Sequence, residues 1–142
     1  MKILVDTNRI IAALMKEGTT RDILFDENFQ FMTPDYTIIE IEEHKEELIR
    51  KIKLTNEEYE ILISLIFERI DIIPQSEYED CVNECNDLIS DPDDVPHLAA
   101  SIARNVYGIW AHDSHFKEQN KVRVLTNIDM LRLSGKARSL YG

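Results

Sequence analysis

The chain alternates short apolar runs with longer stretches in which apolar residues return every three or four positions. The first run, Ile3-Leu4-Val5, is unbroken enough for a strand buried on both faces, and it stops at Asp6. Ile10, Ile11 and Leu14 then resume at helical spacing, which predicts a strand near 2–6 and helices over about 8–16 and 19–27. "NFQFMTP" sets Phe29, Phe31 and Thr33 on one side of a short strand closed by Pro34. In "DYTIIEIEEHKEELIRKIKL" the residues Ile38, Ile41, Leu48, Ile49 and Ile52 share one stripe, predicting a long helical stretch with charges around it. Thr55 with Glu58 forms a capping box at the next helix start, and Ser76 with Glu79 repeats that signal. "IDIIP", "GIWAHD" and "VRVLT" read as the third, fourth and fifth strands. Before the fourth, "DDVPHLAASIARN" places Val95, Leu98, Ala99, Ile102, Ala103 and Val106 on one helical face. A last helix is expected near 127–134.

Strands alternating with helices imply one α/β domain over residues 1–142, a three-layer α/β/α sandwich around a mostly parallel, roughly five-stranded sheet. Ligands bind such sheets beyond the carboxyl ends of the strands, so the residues just after each strand carry the interest.

Composition narrows the class. With 44% apolar and 30% charged residues in 142, the chain has a soluble, globular balance. No apolar stretch is long enough to cross a bilayer, and "MKILVDTN" lacks the apolar core of a signal peptide, so a cytoplasmic location is expected. Cys81 and Cys85, four apart with no matching second pair, are expected as free thiols rather than as a metal pair. The net charge of −11 argues against a simple basic nucleic-acid binder. It hides an asymmetry, because residues 1–100 carry nine Lys/Arg against 24 Asp/Glu, whereas 101–142 carry seven against three.

The acids at strand and helix ends are the candidate chemistry. Asp6 ends the first strand and Asp113 the fourth, while Asp91, Asp93 and Asp94 cluster before the helix that leads into the fourth strand. Each has an ordinary reading. Asp6 suits a helix cap, and Asp91 suits one with Pro92 at the first helical position and the helix dipole favouring nearby acids. Glu42, Glu43, Glu46 and Glu47 read as a solvated face. Glu40 interrupts the apolar stripe, and Asp94 abuts the buried stripe that starts at Val95, where a lone carboxylate is costly. Brought together, Asp6, Glu40, Asp94 and Asp113 would repel one another by ~1 kcal/mol per pair in water at ~4 Å and ~4 kcal/mol near a protein surface. A divalent cation removes that repulsion, and hard oxygen donors suit Mg²⁺ or Mn²⁺.

In "ILVDTNRIIAAL", "TPDYTIIEIEEHKEEL", "DPDDVPHLAASIARN", "GIWAHDSHFKE" and "VLTNIDML", taken in order, the chain resembles the PIN-domain ribonucleases, which include the VapC-type toxins of toxin–antitoxin pairs. The resemblance implies a Mg²⁺- or Mn²⁺-dependent endoribonuclease whose catalytic acids are Asp6, Glu40, Asp94 and Asp113. Asp6, Asp94 and Asp113 would be metal ligands, Asn8 a support to the first acid and Asp91 an outer helper. It also implies an RNA substrate, a small antitoxin partner and a homodimer. Where the family often carries Ser or Thr two residues before the fourth acid, this chain has Ala111. Lys117, Lys121 and Arg123, with Arg132, Lys136 and Arg138 beyond them, are expected to track phosphates or else to be a solvated basic surface. His115 and Phe116 read as a turn after the fourth strand, with neither His112 nor His115 expected in the chemistry. A haloacid-dehalogenase-like phosphatase needs a second Asp where Asn8 stands, and a receiver domain needs a Lys after the fifth strand, where "VLTN" has none. The remaining alternative is a PIN-like module that binds RNA or protein without cutting.

Overall fold

The sheet runs through the middle of the molecule in the order β3-β2-β1-β4-β5, with every pair of neighbours parallel. The computed structural model describes residues 1–112 and 114–135. Its strands are β1 (Lys2–Val5), β2 (Gln30–Pro34), β3 (Ile70–Ile73), β4 (Gly108–Trp110) and β5 (Val124–Leu125). Between β1 and β2 come α1 (Thr7–Met15) and α2 (Thr19–Leu24). Between β2 and β3 come α3 (Tyr36–Glu43), α4 (Lys45–Ile52) and α5 (Asn56–Phe67). Between β3 and β4 lie α6 (Gln75–Tyr78), α7 (Val82–Asn86) and α8 (Val95–Arg104), and α9 (Asn127–Ser134) follows β5. The expected five-strand sandwich is therefore present, and within the described residues its sheet is wholly parallel.

Alternation along each strand feeds two apolar layers. Ile3, Val5, Phe31, Trp110 and Leu125 join Ile10, Leu14, Leu24, Leu48, Ile66 and Met130 on one face. Leu4, Met32, Ile73 and Ile109 join Tyr78, Cys85, Leu98 and Ala99 on the other. Both faces are covered, which is why β1 reads as a continuous apolar run instead of an alternating one. Gly108 opens β4 where a Cβ would stand 2.9 Å from the Arg123 carbonyl oxygen, so the close approach of β5 requires glycine there.

Five local expectations are corrected. The long helical stretch breaks at His44 (φ −104°, ψ 4°), so α3 and α4 point different faces inward. On α3 the buried residues are Thr37 and Ile41, whereas Ile38 is 42% exposed and leaves the expected stripe. Ser76 does not cap a helix, because α6 begins one residue earlier, behind Pro74. Asp91 is not the cap of α8 either. Residues 92–94 form a turn closed by the Asp94 and Val95 amides, and the helix starts at Val95 with Asp94 at the cap position and Pro96 in its first turn. The buried face of α8 also takes in His97, Ala100 and Ser101, while Ala103 is exposed.

Both cysteines are free, as expected, with Cys85 fully buried. His115 and Phe116 sit in a short 3-10 helix, Ser114–Glu118, and Phe116 is buried.

Candidate active site

Strand order changes direction between β1 and β4, since β1 leads to β2 and β3 on one side while β4 and β5 lie on the other. The crevice beyond the carboxyl ends at such a switch point is where open parallel sheets bind ligands. Asp6 stands there. Its amide donates to the Trp110 carbonyl at 3.1 Å, fixing it at the mouth of the β1–β4 junction. It occupies the N-cap position of α1, yet its carboxylate makes no cap hydrogen bond and the residue is only 4% exposed.

Glu40 reaches the same place from α3. The Thr7 hydroxyl donates to Glu40 Oε1 at 2.7 Å. His97, from the first turns of α8, brings Nε2 to 3.7 Å from both Asp6 Oδ1 and Glu40 Oε1. Around that nitrogen lie Thr7 Oγ1 at 3.0 Å and Thr37 Oγ1 at 3.1 Å, and Thr33 on β2 is 2.8 Å from Thr37. Burial raises the Glu40 carboxyl above its ordinary value, opposed by the Thr7 hydrogen bond and the nearby imidazole. Burial likewise pushes His97 down, with Glu40 pulling the other way. Arg9, one turn along α1, has its guanidinium pulled down by burial and held up by Asp6.

Asp91, Asp94 and His115 form a further group at the N-terminus of α8. Their ligand atoms all lie within 4.8 Å of one another, with His115 Nδ1 at 3.4 Å from Asp94 Oδ2 and 3.8 Å from Asp91 Oδ2. Asp94 is the more buried acid, its side chain 15% exposed against 40% for Asp91. Asp93 turns instead toward α3 and accepts a hydrogen bond from the Tyr36 hydroxyl, which pushes the phenol's pKa up. The hard oxygen donors of this group, with one imidazole, fit a divalent ion of the Mg²⁺ or Mn²⁺ type.

The structure thus places Asp6 with Glu40 around His97 Nε2, and Asp94 with Asp91 at the N-terminus of the same helix, α8. Asp113 lies outside the described residues, as do Lys136 and Arg138. Asn8 is exposed on α1, and the polar neighbour that bonds into the cluster is Thr7. Ala111 packs in the α8-side core at 3% exposure, an apolar contact where a hydroxyl would face the same layer.

Among the described residues expected to contact phosphate, Lys117 lies in the 3-10 helix that follows the carboxyl end of β4. Arg123 precedes β5 at the level of Gly108 and Ile3, three residues below Asp6, or about 10 Å at strand rise. Its guanidinium stacks on Tyr107, 4.0 Å from the ring centroid, beside Arg132 in a cavity at that opposite edge. Lys121, in the same connection, is paired with Glu84 at 2.7 Å.

Sequence reading missed His97, Thr7, Thr37 and Arg9. A signal existed for His97, since it follows Asp94 by three residues and so shares its helix face.

A family model described as PIN domain matches residues 4–128. No curated relative matches the chain significantly. Among solved structures, the chain is similar in fold to VapBC2 from Rickettsia felis, crystallised bound to a DNA fragment from their promoter. The TM-score is 0.67 at 17% identity, over 89% of this chain and 98% of that one.

Proposed function

The chain belongs to the PIN-domain family, and from that membership together with the site's geometry we propose that it is a metal-dependent endoribonuclease. The observation that carries this reading is Asp6, a carboxylate almost fully buried at the sheet's switch point, with its side chain withheld from the helix it precedes. A buried acid beside a second acid, Glu40, costs stability unless something positive completes it.

Asp6, Asp94 and Asp113 would hold Mg²⁺ or Mn²⁺, with Asp91 supporting Asp94. Such an ion, when bound, supplies charge to the scissile phosphate and acidifies an attacking water. The chain's own part is to position. Thr7 fixes the Glu40 carboxylate by a hydrogen bond, leaving its second oxygen to orient water. Buried Thr33 and Thr37 close the floor behind it. Asn8, exposed at the start of α1, faces the substrate side, and Lys117 supplies a cation next to an otherwise repellent acidic site.

The fold likeness to a chain of VapBC2 supports a toxin role with a small antitoxin partner, and we further propose that the protein works as a homodimer in the cytoplasm. A second reading, RNA or protein binding without cleavage, is favoured by Ala111 alone. Incubating the protein with a broad panel of single-stranded and structured RNAs and Mn²⁺ separates the two. Cleavage abolished by chelation and by Asp6→Asn is expected. Intact RNA across the panel with measurable binding would replace the nuclease reading with the binding one.

A further inference from the structure

Acids outnumber basic residues in this chain by 27 to 16, so a surface cation has no shortage of partners. Lys45, Lys51, Arg104 and Lys121 each hold a carboxylate at 2.6 to 2.8 Å. Arg123 and Arg132 hold none among the described residues, yet both line one cavity of about 350 Å³ between the β4–β5 edge and α9. Asp129 lines it too. Its Oδ2 accepts from the Thr126 amide and hydroxyl at 2.9 and 3.0 Å, and it forms no ion pair with either arginine. Two guanidiniums on one cavity repel each other until an anion joins them.

Arg123 is fixed before any ligand arrives. Its carbonyl accepts from the Ile109 amide at 2.8 Å, and its guanidinium lies on the Tyr107 ring, 4.0 Å from the centroid. Tyr107 is anchored in turn, its amide donating to the Lys2 carbonyl at 2.8 Å. A guanidinium stacked in this way keeps its N–H edge and its second face for a ligand. Forked donors on two arginines suit a phosphate, and the free face suits a planar base. Asp129 Oδ1, without a hydrogen bond among the described residues, suits a ribose hydroxyl, and Val124 with Leu133 supplies an apolar wall. The volume lies at the small end of ligand sites.

We propose that this cavity binds a free nucleoside monophosphate, with the phosphate between Arg123 and Arg132 and the base on the Arg123–Tyr107 stack. Its place favours a free nucleotide over a strand of RNA. Arg123 lies on the amino side of the sheet, about 10 Å below Asp6 at strand rise, and the cavity suits one nucleotide. The inference stands apart from the nuclease reading and needs no metal.

Calorimetry in metal-free buffer tests it, with the four ribonucleoside 5′-monophosphates, their nucleosides and inorganic phosphate as probes. At least one monophosphate is expected to bind with a dissociation constant below about 1 mM, and more tightly than its nucleoside or phosphate alone. Arg123→Ala and Arg132→Ala should each weaken it about 10- to 100-fold, the scale of hydrogen bonds to a charged group. Both side chains are exposed, and Arg50→Ala, an exposed arginine on α4, should bind as wild type does. No saturable binding by any monophosphate sinks the proposal, as does wild-type affinity in the two cavity variants or an equal loss in Arg50→Ala. Inorganic phosphate binding as tightly as the nucleotides would leave an anion site with no place for a base, and the assignment would fall. A 5′-phosphorylated RNA hexamer that binds more tightly than the monophosphate, and loses that affinity in Arg123→Ala, would make the cavity part of an RNA path instead.

Discussion

Two pairs of helix starts in this molecule carry residues suited to capping and use them for opposite ends. Thr55 and Thr126 begin α5 and α9, and each forms a complete capping box with the acid three residues on, Glu58 or Asp129. Asp6 and Asp94 stand at the equivalent positions of α1 and α8, and neither side chain makes a cap hydrogen bond. A good cap contributes about 1 kcal/mol, so a capping acid that does not cap forgoes a stabilisation that α5 and α9 take. Both departures lie beyond the carboxyl edge of the sheet, at the site. The difference teaches that suitability for capping does not fix a residue's role at a helix start, and that the hydrogen bonds its side chain makes do.

The comparison is broken most sharply by Asp6→Asn. RNA cleavage is expected to drop at least about 100-fold, the scale on which misplacing a reacting group is felt. The melting temperature should not fall, because no cap is lost and a buried charge is removed. Next in size is metal linkage. With free Mn²⁺ at about 100 times its dissociation constant, the wild type gains about 2.7 kcal/mol, and a thermal scan should show this shift vanish on chelation and in Asp6→Asn or Asp94→Asn. In contrast, Thr126→Ala and Thr55→Ala should each lose about 1 kcal/mol in urea unfolding while leaving cleavage unchanged.

Smaller effects sharpen the contrast between the two edges of the sheet. Lys117→Ala is expected to weaken RNA binding and reduce its salt slope by about 0.7, the single-strand value for one phosphate contact, whereas Arg123→Ala leaves the slope as it is. The smallest expected effect is on stability against pH. Burial raises the Glu40 carboxyl above its ordinary 4.5 in the folded chain, so between the unfolded and folded values the native state binds more protons. Stability from this group is therefore greatest below the unfolded value and is lost as pH rises through the folded one. Metal-free Glu40→Gln should lack that loss and melt slightly higher than wild type at neutral pH, while cutting RNA poorly.

The frame of the fold was legible because its signals are local. Ile3-Leu4-Val5, Thr55 with Glu58 and Pro34 each act within a few residues, and their strands and caps stand where expected. The exceptions arose where tertiary packing overrode a local pattern. Ile38 fits a helical stripe, but the break at His44 turns α3 so that Thr37 and Glu40 face the site and Ile38 faces solvent. Asp91 had the residue type of a cap and lost the position to Asp94, because the residues after it close a turn first. The acids were legible individually, as carboxylates in places where burial is costly. The spacing from Asp94 put His97 on that acid's helix face, but nothing in sequence showed that Thr7 and Thr37, from two other helices, meet its ring. Nor does sequence spacing reveal that Arg123, close in the chain to Lys117, sits toward the opposite edge of the sheet. Only the direction of β5 does that.

The most direct test is a calorimetric titration of the purified protein with MnCl₂, run beside Asp6→Asn. If the acids withheld from capping form a divalent-metal site, the wild type gives a saturable isotherm and the variant a much weaker one. A flat titration in the wild type, or equal affinity in the two proteins, would show that Asp6 is buried at the switch point for some purpose other than holding a metal.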